Sequence, residues 1–420
     1  MLSPDQITLI LGALLHDIGK FYLGEPLCEE FKDVKLNGHG HAKWSASFVS
    51  NILKKNNQIF NDATSLIDMV LYHGQPGKKK DYQDQDRDEN KILKAHLISI
   101  ADKLSSKERR AEKEEEVEKE TKEERAERSQ IPLVSVFNEI SLGLHIRKEE
   151  KKAYRLNPLA IKKEILFPVL NYPNEKLSSD AYENIRNKLD NEFVEIKYDD
   201  HISILHLLYK YIWASPSATP AAGIEPDISL FDHARTTAAI ALCLFKNPKV
   251  CTNRYYETLY QALVKDFKIK IGEERGPLGE TYQKLLREHL FILLAADMFG
   301  IQDFIYAPAN IPGTSKRLRG RSFYLLMLSE IIARYIVYHP DINLSYLNIL
   351  YCAGGNFQIL LPNTEEISSK LEEICQEINN ELFVRFKGKI GFTFAKEEIS
   401  SFDFETWDEV LKRGGDKLNL

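Results

Sequence analysis

Apolar and polar residues alternate with helical periodicity over the first hundred positions. Apolar residues from Ile7 to Ile18 recur at three- and four-residue spacing, behind a Ser3-Pro4-Asp5 segment that favours a helix N-terminus. Glycine-rich segments such as Gly38-His39-Gly40 separate this helix from the next ones. The further helices predicted in this stretch cover 42–54, 65–72 and 90–104. The N-terminal part of the chain is therefore expected to be helical.

The middle of the chain has a less regular pattern. Lys107 to Arg128 holds almost no apolar residue and is expected to be a solvated helix or insertion without chemistry. The region 133–200 contains short apolar pieces that are compatible with strands or sheet edges, at 142–146, 165–170 and 193–198. The helical pattern then resumes, because His201–Trp213 predicts one apolar helix and Asp227–Leu244 predicts another.

The last third of the chain has a different spacing of apolar residues, which predicts a small domain of mixed strands and helices. Two apolar strands, 347–353 and 357–361, flank the hairpin signal Gly354-Gly355-Asn356. The elements expected around them are a strand at 291–296, helices beginning at 300–306 and covering 321–338 and 365–386, and a strand at 389–394. The order β-α-β-β-α-β is the ferredoxin-like arrangement of polymerase-type palms and nucleotide cyclases. The predicted fold class is α+β, mainly helical.

Composition narrows the functional classes. With 420 residues the chain is expected to form two or three domains, and no apolar run reaches the roughly 20 residues of a membrane span. The first twenty residues lack the basic region of a secretory signal. Five cysteines without a CxxC pair exclude a zinc ribbon within this sequence and favour a reducing cytoplasm. The net charge of −6 means that nucleic-acid binding would need a local basic patch.

The candidate chemistry is concentrated in histidine and aspartate residues. His16 and Asp17 are expected on the first helix, and burying two metal-competent side chains there is costly unless something binds them. Further candidate ligands recur at predicted helix ends: His41, His73 and Asp102. Imidazoles and carboxylates without thiolates suit Mn, Fe, Ni, Co or Mg rather than structural zinc. A cluster of this kind is equipped to hydrolyse a phosphodiester.

Other histidines are not expected to bind a metal ion. His96 lies on the helix that carries Asp102, but it is expected to face the core or the solvent. His39 is predicted to be a loop residue without a ligand role, and the same is predicted for His145, His201, His206, His289 and His339.

The order of these motifs resembles the HD superfamily of metal-dependent phosphohydrolases. In that family a first histidine precedes the His-Asp pair, but nothing upstream of His16 supplies one in this sequence. The segment 232–239, which reads Asp-His-Ala-Arg-Thr-Thr-Ala-Ala, looks like the missing element displaced to the end of the domain. A circular permutation would produce this order. The resemblance therefore implies a circularly permuted HD domain in which His233 joins His16 and Asp17.

Several segments resemble the large subunit of type III-A CRISPR effector complexes, the Csm-type Cas-ten protein. Residues 297–306 match its D-x-x-G-I-Q-x-F-I-Y signature, and 318–323 match its L-R-G-R-S-F helix start. Residues 351–357, which read Tyr-Cys-Ala-Gly-Gly-Asn-Phe, match its Y-x-G-G-G-x-F hairpin. The segments 227–233 and 100–106 are also similar to that family. The similarity extends over nearly the whole chain.

This resemblance implies two activities and a set of partners. The HD domain would be a metal-dependent nuclease of single-stranded DNA, using Mn, Ni, Co or Mg and activated by target RNA. It would work in the cytoplasm, away from membranes, with the repeat-tag-binding and small subunits of a complex that contains guide RNA. A pair of palm domains would convert ATP into cyclic oligoadenylate with the help of Mg.

The active palm of that family is the second one, which carries a Gly-Gly-Asp-Asp turn that holds Mg²⁺. This sequence is expected to contain only the first palm, because its hairpin Gly354-Gly355-Asn356-Phe357 lacks carboxylates. Gly414-Gly415-Asp416 follows an amphipathic helix at 407–412 and is interpreted as a helix C-cap rather than a catalytic turn. ATP binding and cyclase activity are therefore expected only with a second palm, in a chain that is either truncated or one half of a split subunit.

The expected domains are a permuted HD domain at 1–245, a helical linker at 246–285, a degenerate palm at 286–405 and the start of a next segment at 406–420. The expected metal ligands are His16, Asp17, His41, His73, Asp102 and His233. The expected catalytic residues are His16, Asp17 and Lys20, with Lys20 or Lys103 neutralising the transition state.

The palm contributes a second set of candidates. The basic cluster 316–321, expected at a helix N-terminus, could hold phosphates of ATP or RNA. The residues expected to bind nucleotide or phosphate are Asp297, Gly300, Gln302, Arg317, Arg319, Arg321, Gly354 and Gly355.

Three functions stay open on the sequence alone. The first is a nuclease of single-stranded DNA within an RNA-guided complex, and the palm signatures favour it. The second is a stand-alone HD phosphohydrolase of small or cyclic nucleotides, with the palm as a sensor. The third is a non-catalytic scaffold that anchors other subunits.

Overall fold

In a computed structural model of the chain, the described residues are 2–36, 40–55, 63–76, 88–107, 130–140, 151–197, 199–218, 225–270, 277–307 and 314–418. The chain divides into two compact units. The helical unit is Pro4–Ala241, and the sheet unit is Leu242–Leu420 together with Met1–Ser3. Most of the charged run 107–128, the apolar piece 142–146, His39 and His145 lie outside the described residues.

The helices and strands of the helical unit are α1 (Pro4–Leu15), α2 (Glu29–Lys32), α3 (Ala42–Lys55), α4 (Ala63–Tyr72), α5 (Glu89–Ser105), β1 (Lys152–Ala153), α6 (Lys163–Leu166), β2 (Leu170–Asn171), α7 (Ser179–Val194), α8 (His201–Ile212) and α9 (Leu230–Phe245). The sheet unit continues with α10 (Pro248–Cys251), α11 (Tyr255–Lys270), α12 (Pro277–Leu286), β3 (His289–Phe299), α13 (Ile301–Tyr306), α14 (Thr314–Tyr338), β4 (Ile349–Ala353), β5 (Asn356–Pro362), α15 (Glu365–Phe386), β6 (Gly391–Ser400) and α16 (Trp407–Leu418). Short 3-10 helices occupy Ile18–Lys20, Val136–Glu139 and Tyr346–Asn348. Within these described ranges, no helix combines the length and apolarity that crossing a bilayer requires.

The helical unit is built around α1, which is apolar on every side. All residues from Thr8 to Gly19 are buried, and burial of each large aliphatic side chain contributes about 1.5–3 kcal/mol. α1 packs against α4, α5 and α8. Because α1 is surrounded by other helices, the residues that follow its C-terminus lie inside the unit rather than at its surface.

The end of α1 differs from the sequence prediction. The helix ends at Leu15, so His16 and Asp17 lie just beyond it instead of on it. The cause is local: His16 Nδ1 donates to the Ala13 carbonyl oxygen at 2.7 Å, which satisfies one of the carbonyl groups left open at a helix C-terminus. The chain then turns into the 3-10 helix Ile18–Lys20.

The mixed region also differs from its prediction. The piece at 193–198 is not a strand, because Phe193 and Val194 end the helix α7. This helix has a clear start, since the Ser178 side chain accepts a hydrogen bond from the Ala181 N–H at 3.2 Å. The piece at 165–170 is divided between α6 and the two-residue strand β2, which pairs with β1. Short apolar runs did not distinguish a helix end from a strand.

The sheet unit has the predicted order β3-α14-β4-β5-α15-β6. Its four strands are antiparallel neighbours in the spatial order β4-β5-β3-β6, which is the ferredoxin-like topology. The observed class, mainly helical α+β, confirms the predicted fold class. β3 lies inside the sheet and is buried without interruption from Leu290 to Ala296, as expected for a strand that is covered on both faces.

One of the elements that cover the sheet is α16, where the structure corrects a prediction. Gly414 and Gly415 are not a helix C-cap, because α16 continues through them to Leu418. Two basic side chains tie this helix to the sheet: Arg413 contacts Glu397 at 2.5 Å, and Lys417 contacts the same carboxylate at 2.6 Å. These ion pairs, together with burial of Leu418, offset the low helix propensity of the glycines. Residues 407–418 thus pack on β3 and β6.

Gly300 joins β3 to α13 in a backbone conformation that favours glycine. Its φ is +80°, and a Cβ atom at this position would lie 1.8 Å from the Lys389 carbonyl oxygen. The neighbour is backbone just before β6, so it cannot move aside without disturbing the sheet. A glycine in this position therefore lets the loop before β6 approach the start of α13.

We expect Gly300→Ala to lower the free energy of unfolding by about 2 kcal/mol or more, because of backbone strain and the clash with Lys389. Gly320→Ala is the matched control, since a Cβ there meets nothing within 4 Å and the residue lies inside α14. The control should raise stability by about 0.5 kcal/mol. Urea unfolding followed by circular dichroism measures both changes, and equal midpoints for the two variants would contradict the expectation.

Candidate metal centre

The residues after α1 form the centre of a polar cluster inside the helical unit. His16 is completely buried and Asp17 is 2% exposed. The N–H at His16 Nδ1 donates to the Ala13 carbonyl oxygen, so the proton of the neutral ring is on Nδ1. The other ring nitrogen therefore carries a lone pair, which faces the carboxylates. That nitrogen, Nε2, is buried and has no hydrogen-bond partner among the described residues. A buried nitrogen left in this way is a strong sign that the site accepts a cation.

Other helices bring the remaining candidate ligands to the same place. His73 follows the end of α4 and repeats the geometry of His16, since its Nδ1 donates to the Val70 carbonyl oxygen at 2.7 Å. His41 immediately precedes α3, and Asp102 lies in the last turn of α5. His233 lies in the first turn of α9, far along the chain. Each ligand candidate is therefore at or near a helix end, where a short turn can present it inward.

Asp17 lies between two groups of imidazoles. Its Oδ1 is 2.8 Å from His41 Nε2 and 3.5 Å from His73 Nε2. Its Oδ2 is 3.5 Å from His16 Nε2 and 3.3 Å from His233 Nε2. Each oxygen of one carboxylate thus faces a different pair of histidines, so both pairs of imidazoles share Asp17.

Asp102 completes the group that contains His16 and His233. Its Oδ1 is 3.7 Å from His16 Nε2 and 3.2 Å from His233 Nε2. The displaced helix inferred from the permuted order of motifs therefore does reach the His-Asp pair.

Gly19 makes the approach of α3 possible. Its N–H donates to Ser45 Oγ at 2.7 Å. A Cβ at Gly19 would lie 2.1 Å from the His41 carbonyl oxygen and 2.4 Å from the Ser45 amide nitrogen. The absence of a side chain at Gly19 therefore allows His41 to come within reach of Asp17.

The charges of the cluster favour cation binding. Burial acts to raise the pKa of the Asp17 carboxyl, but the ammonium of Lys20 and then the imidazole of His16 outweigh it and hold that pKa well below its usual range. Burial also opposes ionisation of Asp102, but the neighbouring imidazoles of His16 and His233 outweigh it and hold the pKa of that carboxyl well below its usual range. Burial lowers the pKa of His41. At neutral pH the carboxylates are thus ionised and His41 is neutral, which are the forms that bind metal ions.

The donor set fits one or two divalent ions. Among the described residues, two groups have all their ligand atoms within 4.8 Å of one another: His16, Asp17, Asp102 and His233, and Asp17, His41 and His73. Both groups consist of imidazole nitrogens and carboxylate oxygens without thiolate, a mixture that suits Mn, Fe, Ni, Co or Mg. The orphaned Nε2 of His16 lies in the first group. These residues could therefore hold ions that activate water toward a phosphate ester.

Lys20 places a positive charge at the edge of this cluster. Its Nζ is 2.5 Å from Asp17 Oδ2 and 2.9 Å from the Ser217 carbonyl oxygen. The Lys20 side chain is 31% exposed, so the ammonium faces the solvent as well as the carboxylate. A charge in this position can contact an anionic substrate that approaches the cluster.

The candidate nucleotide-binding residues of the palm lie on several different elements. Asp297 on β3 is the register partner of Asn356 on β5, and it belongs to neither of the two metal-capable groups found among the described residues. Gly354 and Gly355 form the hairpin turn with φ of +65° and +93°. Gly300 caps α13, which contains Gln302.

The basic cluster 316–321 lies inside α14 rather than before it. α14 begins at Thr314 instead of the predicted residue 321, so the cluster occupies the first two turns of the helix. Arg321 is already engaged, because its guanidinium donates to the Phe304 carbonyl oxygen and lies 4.8 Å from the centre of the Phe304 ring. Arg319 donates to the Ser315 carbonyl oxygen at 3.4 Å. Arg321 therefore has a structural task that the sequence did not indicate.

The other described histidines have local partners away from the cluster. His96 is buried, and its Nδ1 donates to the Ile92 carbonyl oxygen at 2.8 Å. His289 pairs with Glu398, and His339 accepts from the Asp341 N–H. His201 begins α8, and His206 is exposed on the same helix.

Sequence reasoning missed the hydroxyl groups around the ligands. Ser45 holds Gly19, and Ser99 donates to the His73 carbonyl oxygen. Ser105 contacts His233 Nδ1 at 3.2 Å. The segment that contains Ser105 resembled a known family, but no residue pattern pointed to a contact with a histidine 128 positions away.

Comparison with protein families matches two parts of the chain. Residues 2–107 match the HD domain family, and residues 290–418 match the family described as Csm1 subunit domain B. The first match contains His16, Asp17, His41, His73 and Asp102, and the second contains β3–β6 apart from His289.

Comparison with individual proteins extends the similarity to nearly the whole chain. A curated relative from Methanocaldococcus jannaschii, the "CRISPR system single-strand-specific deoxyribonuclease Cas10/Csm1 (subtype III-A)", is 33% identical over 424 residues, which cover 96% of this chain and 46% of the relative. A solved "Csm1-Csm4 subcomplex in the type III-A CRISPR-Csm interference complex" matches with 25% identity and a TM-score of 0.66, covering 100% of this chain and 48% of that one. A "Csm1-Csm4 cassette in complex with cA4" matches with 24% identity and a TM-score of 0.66 over 100% and 48% of the two chains. The chain therefore spans about half the length of the curated relative and of these structures.

We expect Gly19→Ala to weaken divalent metal binding about 10-fold or more, because the added methyl group must push the start of α3, and His41 with it, away from Asp17. Gly40→Ala is the matched control, since Gly40 is next to His41 in the sequence and a Cβ there meets nothing within 4 Å. Titration of each purified variant with Mn²⁺ in a calorimeter measures the affinity. Equal affinities of the two variants would contradict this account of Gly19.

Proposed function

Because this chain belongs to the Cas10/Csm1 family of subtype III-A CRISPR systems, we propose that its HD domain is a metal-dependent nuclease of single-stranded DNA. The relative from M. jannaschii is named for that activity. The chain would correspond to the N-terminal half of such a large subunit. Its domains would be the permuted HD domain at 1–245, a helical linker at 246–285, the palm at 286–405 and a further segment from 406 onward.

The convergence of five other side chains around Asp17 is the observation that carries this proposal. His16, His73 and His233 each use Nδ1 to contact a neighbouring oxygen, which leaves Nε2 facing the carboxylates. We assign the metal ligands as His16, Asp17, His41, His73, Asp102 and His233. When bound, divalent ions lower the pKa of water and neutralise charge on phosphoryl oxygens, which is the chemistry of phosphodiester hydrolysis.

The remaining residues of the centre have roles that follow from their contacts. The ionised Asp17 and Asp102 supply the negative charge that holds the cations in a buried site. Lys20, held by Asp17 and the Ser217 carbonyl, presents its ammonium to a phosphate of the substrate and stabilises the negative charge that develops there. The partly exposed Lys20 marks the side from which a DNA strand would enter.

The palm is proposed to bind ATP and to support cyclic oligoadenylate synthesis only together with a second palm. Its fold resembles the cassette solved with cA4, and its hairpin Gly354-Gly355-Asn356 carries no carboxylate. The nucleotide would contact the end of β3 at Asp297, the turn at Gly354-Gly355, the start of α13 at Gly300 and Gln302, and the basic side chains of Arg317 and Arg319. Arg321 would support this surface by holding Phe304.

The proposed partners follow from the family. They are the repeat-tag-binding and small subunits of a complex with guide RNA. A subunit of the Csm4 kind is supported by the solved Csm1-Csm4 subcomplex, which this chain resembles. Target RNA would act as the activator, single-stranded DNA as the substrate, and the cytoplasm as the compartment.

The nuclease proposal is tested with the purified chain, Mn²⁺ and labelled single-stranded DNA. We expect Mn²⁺-dependent cleavage that EDTA abolishes, and a loss of about 100-fold or more in the His16→Ala/Asp17→Ala variant, because both groups of ligands share Asp17. His206→Ala, an exposed histidine of the same unit, is the control and should cleave like the wild type.

Two other outcomes would contradict the nuclease proposal and favour a different function. Hydrolysis of small or cyclic nucleotides while DNA stays intact would assign the centre to a nucleotide phosphohydrolase. Equal behaviour of the wild type and the double variant toward both substrates would leave a scaffold role.

A second prediction separates the role of Lys20 from that of the ligands. We expect Lys20→Met to lower the cleavage rate constant about 10- to 100-fold, because a positive charge next to the transition state is lost. Mn²⁺ affinity should stay equal or increase, since the ammonium at 2.5 Å no longer competes for Asp17 Oδ2. Lys20→Arg should restore part of the rate. A parallel loss of metal affinity and rate in Lys20→Met would instead indicate that Lys20 only orients Asp17.

A further inference from the structure

We propose that Ser105 is a positioning residue of the metal centre, which fixes the imidazole of His233 so that Nε2 faces Asp102 and Asp17. This inference rests on the proposed metal-dependent function. Ser105 is the last residue of α5, three positions after Asp102, and its hydroxyl oxygen is 3.2 Å from His233 Nδ1. The hydroxyl contacts Nδ1 of His233, whereas Nε2 is the ring nitrogen that faces Asp17 and Asp102.

His233 needs such a partner because of where it lies on its helix. His16 and His73 each follow the C-terminus of a helix. The N–H at Nδ1 of each ring donates to the carbonyl oxygen three residues earlier, in the last turn of that helix. His233 lies in the first turn of α9, where the backbone of the same helix offers N–H donors rather than open carbonyl groups. The acceptor for its Nδ1 must come from another element, and Ser105 on α5 supplies it.

The neighbouring hydroxyl groups set the direction of this hydrogen bond. Ser105 Oγ is 2.9 Å from Thr237 Oγ1, and Thr237 Oγ1 donates to the His233 carbonyl oxygen at 2.8 Å. If Ser105 donates to Thr237, the Ser105 oxygen is left to accept from the N–H at His233 Nδ1. The two hydroxyl groups and this N–H then all have hydrogen-bond acceptors. This assignment leaves a lone pair on Nε2, which is the tautomer that a metal ligand requires.

The next residue, Ser106, provides a contrast within the same helix end. Its hydroxyl donates to the Asp102 carbonyl oxygen at 2.8 Å. Ser105 Oγ is 3.0 Å from the same carbonyl oxygen. Whether its single proton goes to this carbonyl or to Thr237, the Ser105 oxygen is left to accept from His233 Nδ1. The contact with His233 belongs to Ser105. Thr237 is completely buried, so water cannot readily replace a lost hydroxyl on that side of the ring.

We expect Ser105→Ala to weaken Mn²⁺ binding about 10- to 100-fold, the usual effect of removing a side chain that orients a metal-bound histidine. Ser106→Ala should change the affinity less than 2-fold. Ser105→Thr, which keeps the hydroxyl, should restore most of the affinity. Calorimetric titration with Mn²⁺ gives the affinities, and the visible absorption of bound Co²⁺ reports the ligand geometry independently of nuclease activity.

A double-mutant cycle tests whether Ser105 acts through His233. In a His233→Ala background, adding Ser105→Ala should cause no further loss of Mn²⁺ affinity, whereas independent roles would give additive losses. Thermal unfolding of the metal-free proteins controls for a purely structural tie. If Ser105→Ala lowers the unfolding midpoint but leaves Mn²⁺ affinity and the Co²⁺ spectrum like those of Ser106→Ala, the inference is overturned.

The result that would contradict the proposed function differs from the result that would contradict only the role of Ser105. If His16→Ala/Asp17→Ala binds Mn²⁺ as tightly as the wild type, the cluster is not the metal site and the proposed function fails, together with the role of Ser105. If the double variant loses binding while Ser105→Ala and Ser106→Ala remain equal, the metal centre stands and only the role of Ser105 is rejected.

Discussion

The helical unit depends on stabilising one buried carboxylate. Asp17 is 2% exposed, and an uncompensated charge in such a place costs several kcal/mol. The chain compensates it with the ammonium of Lys20 and with imidazoles that face both oxygens. To deliver those groups, the ends of α1 and α4, the starts of α3 and α9, and the last turn of α5 must all meet at one point. The packing of the unit and its proposed chemistry therefore have the same origin.

Much of this arrangement could be predicted from the sequence, and the remainder depends on contacts that a sequence does not display. Imidazoles and carboxylates are conspicuous in apolar segments because they are costly to bury, so His16, Asp17, His73 and Asp102 stood out. The position of His233 followed only from the order of family motifs. Ser105 and Gly19 are ordinary residue types, and their importance comes from elements that approach them in space. The prediction of a helix C-cap at Gly414 was wrong for the same reason, because ion pairs with the sheet keep α16 helical beyond this glycine.

The two units support the functional proposal in different ways. In the helical unit the support comes from individual side chains, their distances and an orphaned ring nitrogen. In the sheet unit it comes from topology, because a four-stranded antiparallel sheet in the order β4-β5-β3-β6 identifies the ferredoxin-like palm. The palm hairpin carries glycines and an asparagine where a catalytic turn would need carboxylates. The groups proposed for hydrolysis thus lie in the helical unit, and the palm is proposed to act only together with a second palm.

The contact between α5 and α9 has a consequence for biosynthesis. Ser105 and His233 are 128 positions apart, and a ribosome releases the N-terminal part of a chain first. A nascent polypeptide therefore carries the His-Asp pair long before its last imidazole has been synthesised. Contacts of such high sequence separation also form slowly, because a long loop must close before they are gained. The order of elements along the chain thus means that translation has to pass the start of α9 before the proposed hydrolytic centre is complete.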